Sequence, residues 1–199
     1  MAVNAAANTV LSPGNSPGNQ GYSAGLTLDS SGTYVWEIND GTGTKGVNWD
    51  LISVSGNSLN LSSLSLASTF NLALVTLSGT TTGPMANYTA GDPGRWRIFD
   101  ATSLVLPSSF DAFLVSGTYT PDTDLSSLFT LGTNGWQNGT LDPAKVAVLI
   151  AADGTGLDLV IVPEPAALPL AALGIGGIAV LARRRRRARQ TADATLTAP

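Results

Sequence analysis

Between residues 26 and 162, apolar side chains recur at every second position in short runs, and turn-forming residues close each run. Tyr34, Trp36 and Ile38 fall on one side of 33–38, and Trp96 and Ile98 alternate with Arg95 and Arg97. Leu59 with Leu61, and Leu64 with Leu66, mark two further runs. A period of two places successive side chains on opposite faces of a strand, so each run predicts a strand with one apolar face. Residues 70–77 are apolar almost throughout and predict a strand buried on both faces. The segments 39–43, 55–57 and 91–94 combine Gly with Asn, Asp, Ser or Pro and read as turns. Residues 145–151 and 157–162, joined through Asp153, Gly154, Thr155 and Gly156, form the clearest hairpin. No stretch before residue 166 sustains a helical period. The body is predicted to be all-β.

One part of the pattern points to an architecture. Gly32, Thr33, Tyr34, Val35 and Trp36 are followed by Trp49, Asp50, Leu51, Ile52, Ser53, Val54, Ser55 and Gly56, then by Leu59, Asn60 and Leu61. Over residues 20–80 this resembles autotransporter-associated β-strand repeats. The resemblance implies a short parallel β-helix (a solenoid) of two or three rungs. An antiparallel cap would then close it through residue 162, because a solenoid must hide its core at its ends. A β-sandwich or jelly roll is the alternative. Residues 1–25, rich in Gly, Pro, Ser and Asn, read as a disordered linker ahead of a β-domain over 26–162.

The chain lacks His and Cys altogether. This excludes Ser-His and Cys-His catalysis, disulfides, and metal sites built on imidazole or thiolate. Charge is distributed unevenly. Residues 1–162 carry four cations (Lys45, Arg95, Arg97, Lys145) against twelve carboxylates, a net charge of −8. So acidic a body is unsuited to nucleic acid, whose phosphates need clustered cations. The six remaining cations are Arg183, Arg184, Arg185, Arg186, Arg187 and Arg189.

Seventeen uncharged, largely apolar residues, 166–182, stand directly before that run. As a helix rising about 1.5 Å per residue they reach about 25 Å, slightly short of a hydrocarbon core of about 30 Å. Arginines at the end extend that reach by snorkelling to the interface. A transmembrane helix at 166–182 is therefore expected, rather than a buried core helix. The positive-inside rule then puts the arginines and the tail 190–199 in the cytoplasm, and residues 1–162 on the other side. Immediately before the span, Pro163, Glu164 and Pro165 hold the backbone extended, since proline continues neither a helix nor a ladder.

In this order and at this end of the chain, an extended Pro-Glu-Pro, an apolar span and an arginine cluster resemble the PEP-CTERM sorting signal of exopolysaccharide-producing bacteria. The resemblance covers about residues 162–189, with the sorting signal itself at 163–189. It implies exosortase as a processing partner, with Pro163, Glu164 and Pro165 as the recognition element and the arginines as the stop-transfer anchor. It also implies membrane lipid as a surrounding partner, exopolysaccharide as a neighbour at the cell surface or in a biofilm matrix, and export across the inner membrane. The first eight residues lack a basic and apolar leader, so the start is read as truncated or misplaced, the alternative being a decayed signal on a cytoplasmic protein.

Catalytic candidates in the body are few. Asp122 and Asp124, two apart, would share one face of a strand as a glycosidase-like pair, but after Pro121 they read as a solvated turn. The aspartates between 153 and 158 lack calcium-loop spacing. Trp36, Trp49, Trp96 and Trp136 are candidates for stacking on sugar rings, although in small β-domains such residues usually belong to the core. Asn60, Asn87 and Asn138 each head an Asn-x-Ser/Thr triplet, at a frequency that so Ser/Thr-rich a chain produces by chance. The expectation is a non-enzymatic surface or matrix protein, without cofactor or metal, with a structural or adhesive β-domain. A carbohydrate-binding or glycan-active protein tethered to the envelope is the alternative.

Overall fold

The computed structural model describes residues 3–5 and 8–162. In chain order its strands are β1 (Val3–Ala5), β2 (Val10–Leu11), β3 (Asn19–Tyr22), β4 (Leu26–Leu28), β5 (Thr33–Ile38), β6 (Leu51–Asn60) and β7 (Phe70–Ser78). There follow β8 (Thr81–Thr82), β9 (Gly94–Val105), β10 (Leu114–Val115), β11 (Thr118–Tyr119), β12 (Phe129–Gly135), β13 (Val146–Ile150) and β14 (Leu157–Ile161). The only helical elements among the described residues are short 3-10 turns at Ser108–Phe113, Ser126–Leu128 and Pro143–Lys145. The fold is mostly β, as the alternation predicts.

The strands divide between two sheets, with β10 and β11 forming a small ribbon apart. A seven-stranded sheet runs β1-β4-β6-β9-β14-β13, with β3 beside β6, and a five-stranded sheet runs β12-β7-β5-β2, with β8 beside β7. The chain passes repeatedly from one sheet to the other, β5 to β6 to β7 to β9, so these long strands alternate between the sheets. As a result most pairs in the first two thirds are parallel: β1/β4, β3/β6, β4/β6, β6/β9, β2/β5 and β5/β7. The end of the body is antiparallel, with β14 inserted between β9 and β13, so the hairpin at 146–161 forms as read.

The inward rows of both sheets meet in one core. Tyr34 of β5 packs edge-on against Phe99 of β9 at 5.3 Å between ring centroids, and Trp36 lies 5.9 Å from Trp96. Tyr34, Trp36, Ile38, Leu72, Leu74, Ile52, Leu59, Ile98 and Leu159 are all buried. Removing such side chains from water is the main stabilising term, about 1.5–3 kcal/mol for each large one.

Several expectations are corrected here. Residues 1–25 are not a linker in their described part, because β1, β2 and β3 each pair in parallel with a later strand. Ala5 and Leu11 are buried; small and polar residues join a sheet when a neighbouring strand supplies the hydrogen bonds and the core takes the few apolar side chains. Residues 55–57 are not a turn. They lie inside β6, whose pairing with β9 shifts register between Val54 and Ser58, and Gly56 has a φ of 70°. That positive φ accommodates a bulge, which glycine enters at little steric cost. The bulge separates the half of β6 that pairs with β3 from the half that pairs with β4. β7 is fully buried on one face only: Phe70, Leu72 and Leu74 are covered, while Asn71, Ala73 and Val75 are half-buried. Leu66 is 82% exposed, so only Leu64 of that pair enters the core.

No helix among the described residues is long and apolar enough to cross a membrane. The expected span at 166–182 lies outside the described residues.

Candidate functional site

The body ends on β14, held between β9 and β13, and Val162 N–H donates to the Lys145 carbonyl at 2.9 Å. Val162 itself is half exposed. The residues read as the sorting site follow at once: Pro163, Glu164, Pro165 and the arginines 183–187 and 189, all outside the described residues.

Within the body, the four tryptophans do not form a sugar platform. Trp36, Trp96 and Trp136 are buried, and Trp96, Trp136 and Tyr88 make one aromatic cluster with centroids 5.6–6.4 Å apart. The Trp36 indole N–H donates to the Asp50 carbonyl at 2.8 Å and that of Trp96 to the Gly41 carbonyl at 2.9 Å. An indole whose faces touch protein on both sides has none left for a sugar. Trp49 is half-buried against the core and donates to the Arg97 carbonyl at 3.1 Å. The sugar-stacking reading of these residues is therefore corrected to a packing role for Trp36, Trp96 and Trp136.

The carboxylates around β9 are likewise engaged. Arg95 and Arg97, on the outward face of β9, both reach Asp158 of β14, through Nε–Oδ contacts of 2.6 and 2.7 Å. Arg95 also binds Asp122 at 2.8 Å, and Arg97 binds Asp100 at 2.7 Å and Asp153 at 3.0 Å. Lys45 completes the network at Asp100. Hydrogen bonding to Asp158 raises the Arg95 pKa. For Arg97 burial acts the other way, and the Asp153 and Asp158 carboxylates outweigh it. Burial likewise opposes ionisation of Asp153, but the Thr155 N–H and Arg97 hold its pKa below the usual carboxylate value. Asp122 stands in a turn with a φ of 59°, and Asp124 accepts from the Ser126 N–H at 2.8 Å. The pair is thus a turn feature, with Asp122 held by a guanidinium. Asp153 and Asp158 face arginines rather than an open cation site.

One buried acid escaped the sequence reading. Asp50 has no exposed surface; Oδ1 accepts from the Gly18 N–H at 2.7 Å and Oδ2 from the Glu37 N–H at 3.0 Å. Burial pushes its pKa up to about 7, against the pull of those two N–H donors. It ties the segment ahead of β3 to the end of β5 and the start of β6. Its only sequence signal is a carboxylate set between Trp49 and the apolar Leu51 and Ile52. Asn138 is structural too, accepting from Met85 N–H at 2.7 Å and donating to the Met85 and Tyr88 carbonyls.

The arrangement so far is that of an all-β domain whose ion pairs and indole hydrogen bonds serve its own architecture, followed directly by the C-terminal segment. Residues 162–187 match the model of the PEP-CTERM protein-sorting motif. The motif implies an exported or cell-envelope protein whose sorting passes through exosortase. No curated protein and no solved structure matches the chain.

Proposed function

We propose that this chain is a non-enzymatic bacterial surface or extracellular-matrix protein, delivered by its C-terminal signal and clipped there by exosortase. The match at residues 162–187 is the observation that carries this reading. Its physical logic lies in the order of the parts. A protease working at a membrane surface needs an extended substrate at a fixed depth. The prolines at 163 and 165 stiffen the segment, the apolar residues 166–182 set the depth, and the arginines at 183–187 and 189 oppose further translocation. Lipid surrounds the span until processing, and exopolysaccharide is the medium into which the body is released.

For the body we infer a structural or adhesive role on a short solenoid with an antiparallel cap. Consecutive strands that alternate between sheets and pair in parallel with the next turn support the solenoid. β5 and β6 also coincide with the two repeat-like strands read from the sequence. Burial of three of the four tryptophans, together with the engaged carboxylates, favours this role over a glycan-binding or glycan-active one.

Intact-mass analysis of the protein from a host that carries exosortase tests the delivery claim. The expected product ends near Pro163–Pro165; a mature chain that persists to Pro199 refutes processing. Retention of the body on a glycan array would overturn the structural reading in favour of binding.

A further inference from the structure

Among the described residues the five-stranded sheet is open at both ends: β2 has a partner only in β5 and β12 only in β7. Two rows cross all four parallel strands without a break: Val10, Thr33, Asn71, Thr130 and, one residue on, Leu11, Tyr34, Leu72, Leu131. The second row points into the core, and its first three members are buried. Leu131, the last, is only partly covered, and lines a shallow groove with Phe129, Val146 and Val162, beside Asp124 and Lys145. At the opposite edge Val10 is 60% exposed.

Each strand of a parallel sheet offers the next the same alternation of donors and acceptors. The free side of β2 in one molecule is therefore complementary, by construction, to the free side of β12 in another. Charge favours the same approach. Residues 1–28 and 125–141 contain no charged side chain, so the −8 of the body is carried elsewhere. The groove beside β12 is also lined by Asp124 and Lys145, which are opposite in sign, so little net charge opposes contact there. Neither β2 nor β12 carries the Lys or Pro with which exposed edges are commonly blocked.

We propose that copies of this chain associate end to end, with β12 of one molecule pairing in parallel with β2 of the next. The two rows then continue in register, Val10 beside Thr130 and Leu11 over Leu131. Because the contact is heterologous, each added molecule leaves a free β2 at one end and a free β12 at the other, and the association propagates into chains. The other sheet adds no such pairing at β13. Its outer groups are already taken by Leu125 N–H to the Val148 carbonyl, Asp122 N–H to the Ile150 carbonyl and Ile150 N–H to the Thr123 carbonyl, each 2.8–3.0 Å. The junction is therefore narrow and concentration-dependent, suited to a matrix where molecules accumulate. This goes beyond the role proposed above and rests on strand edges rather than on the tail.

The absence of cysteine makes the test specific. The full-length variants V10C and T130C are prepared in detergent micelles, which isolate the apolar segment, then mixed and oxidised. Adjacent parallel strands hold paired Cα atoms about 4.8 Å apart, within disulfide reach. The mixture is expected to give a disulfide-linked pair that neither variant gives alone, and the double variant a ladder. Both positions are exposed, so the thermal transition of each variant should match the unsubstituted chain. Equal cross-linking of V10C or T130C with itself overturns the proposal, as does a failure of the mixture to cross-link while both variants melt normally. The unsubstituted chain provides a check without substitution: a sedimentation coefficient that does not rise with concentration also overturns it. The experiment uses unprocessed chain, so its outcome is independent of whether exosortase cleaves.

Discussion

Asp50 is the residue whose chemistry most exceeds its appearance in the sequence. Its carboxyl titrates near 7 in the folded protein and near 3.8 when exposed, because burial disfavours the charge more than two N–H donors favour it. Folding therefore takes up a proton between those values. The stability this provides is full below about pH 4 and is lost as pH rises toward 7, by a few kcal/mol at most. Urea unfolding at pH 5 and pH 7.5 should show that loss, and D50N should flatten the difference. The variant should itself be about 1–3 kcal/mol less stable, since an amide accepts through one oxygen and leaves the Gly18 or Glu37 N–H unpaired. The tryptophans divide in the same physical way. W96A opens a cavity between the sheets and should cost about 3–5 kcal/mol in chemical denaturation, whereas W49A, half-buried, should cost clearly less. Composition names these residues as candidates. Only their depth shows that they pack, and depth depends on the opposite sheet.

At the scale of elements, strands were legible and their partners were not. The period of two located β5, β13 and β14 closely, and the first half of β9, since each sets alternate apolar residues into the core. It missed β1 to β3, whose polar residues hold their place through hydrogen bonds to later strands. It also broke β6 at Gly56, because a bulge and a turn draw on the same residues. Arg95 and Arg97 could be seen to share a face, but Asp158 as their common partner lies some sixty residues away and follows from β14 settling antiparallel on β9. That pairing yields a graded expectation. Asp158 has only 9% of its side chain exposed and holds two guanidiniums, so D158A should lower stability by about 2 kcal/mol and loosen the terminal hairpin. Asp122 is 63% exposed and holds one, so D122A should cost less than about 1 kcal/mol, and less still in high salt. Thermal melts of the two variants, with amide exchange of β13 and β14, measure both. Equal losses would show that burial of Asp158 is irrelevant.

For the molecule as a whole, the tail was legible and the body's role was not, because the two encode function differently. A sorting signal is read as a linear order of parts, so proline, apolar run and arginine cluster remain visible in one dimension. A β-domain encodes its role in surfaces assembled from distant strands. The described strands end on β14 at Ile161, and residues 1–163 form a compact unit of their own. Replacing Glu164 and Pro165 with Ala is therefore expected to leave the thermal transition of the body unchanged while blocking processing. In a host with exosortase, that variant should accumulate at unprocessed mass in the membrane fraction, and the unsubstituted chain should be found clipped and outside the membrane. Replacing Arg183–Arg187 with Ser should act differently. On the topology proposed above it weakens the charge bias that would fix orientation, so part of the chain should pass through the membrane uncleaved with its C-terminus accessible to external protease. Mass spectrometry of fractions and protease shaving of intact cells separate these outcomes. If both variants were processed like the unsubstituted chain, residues 162–187 would not be what directs this protein.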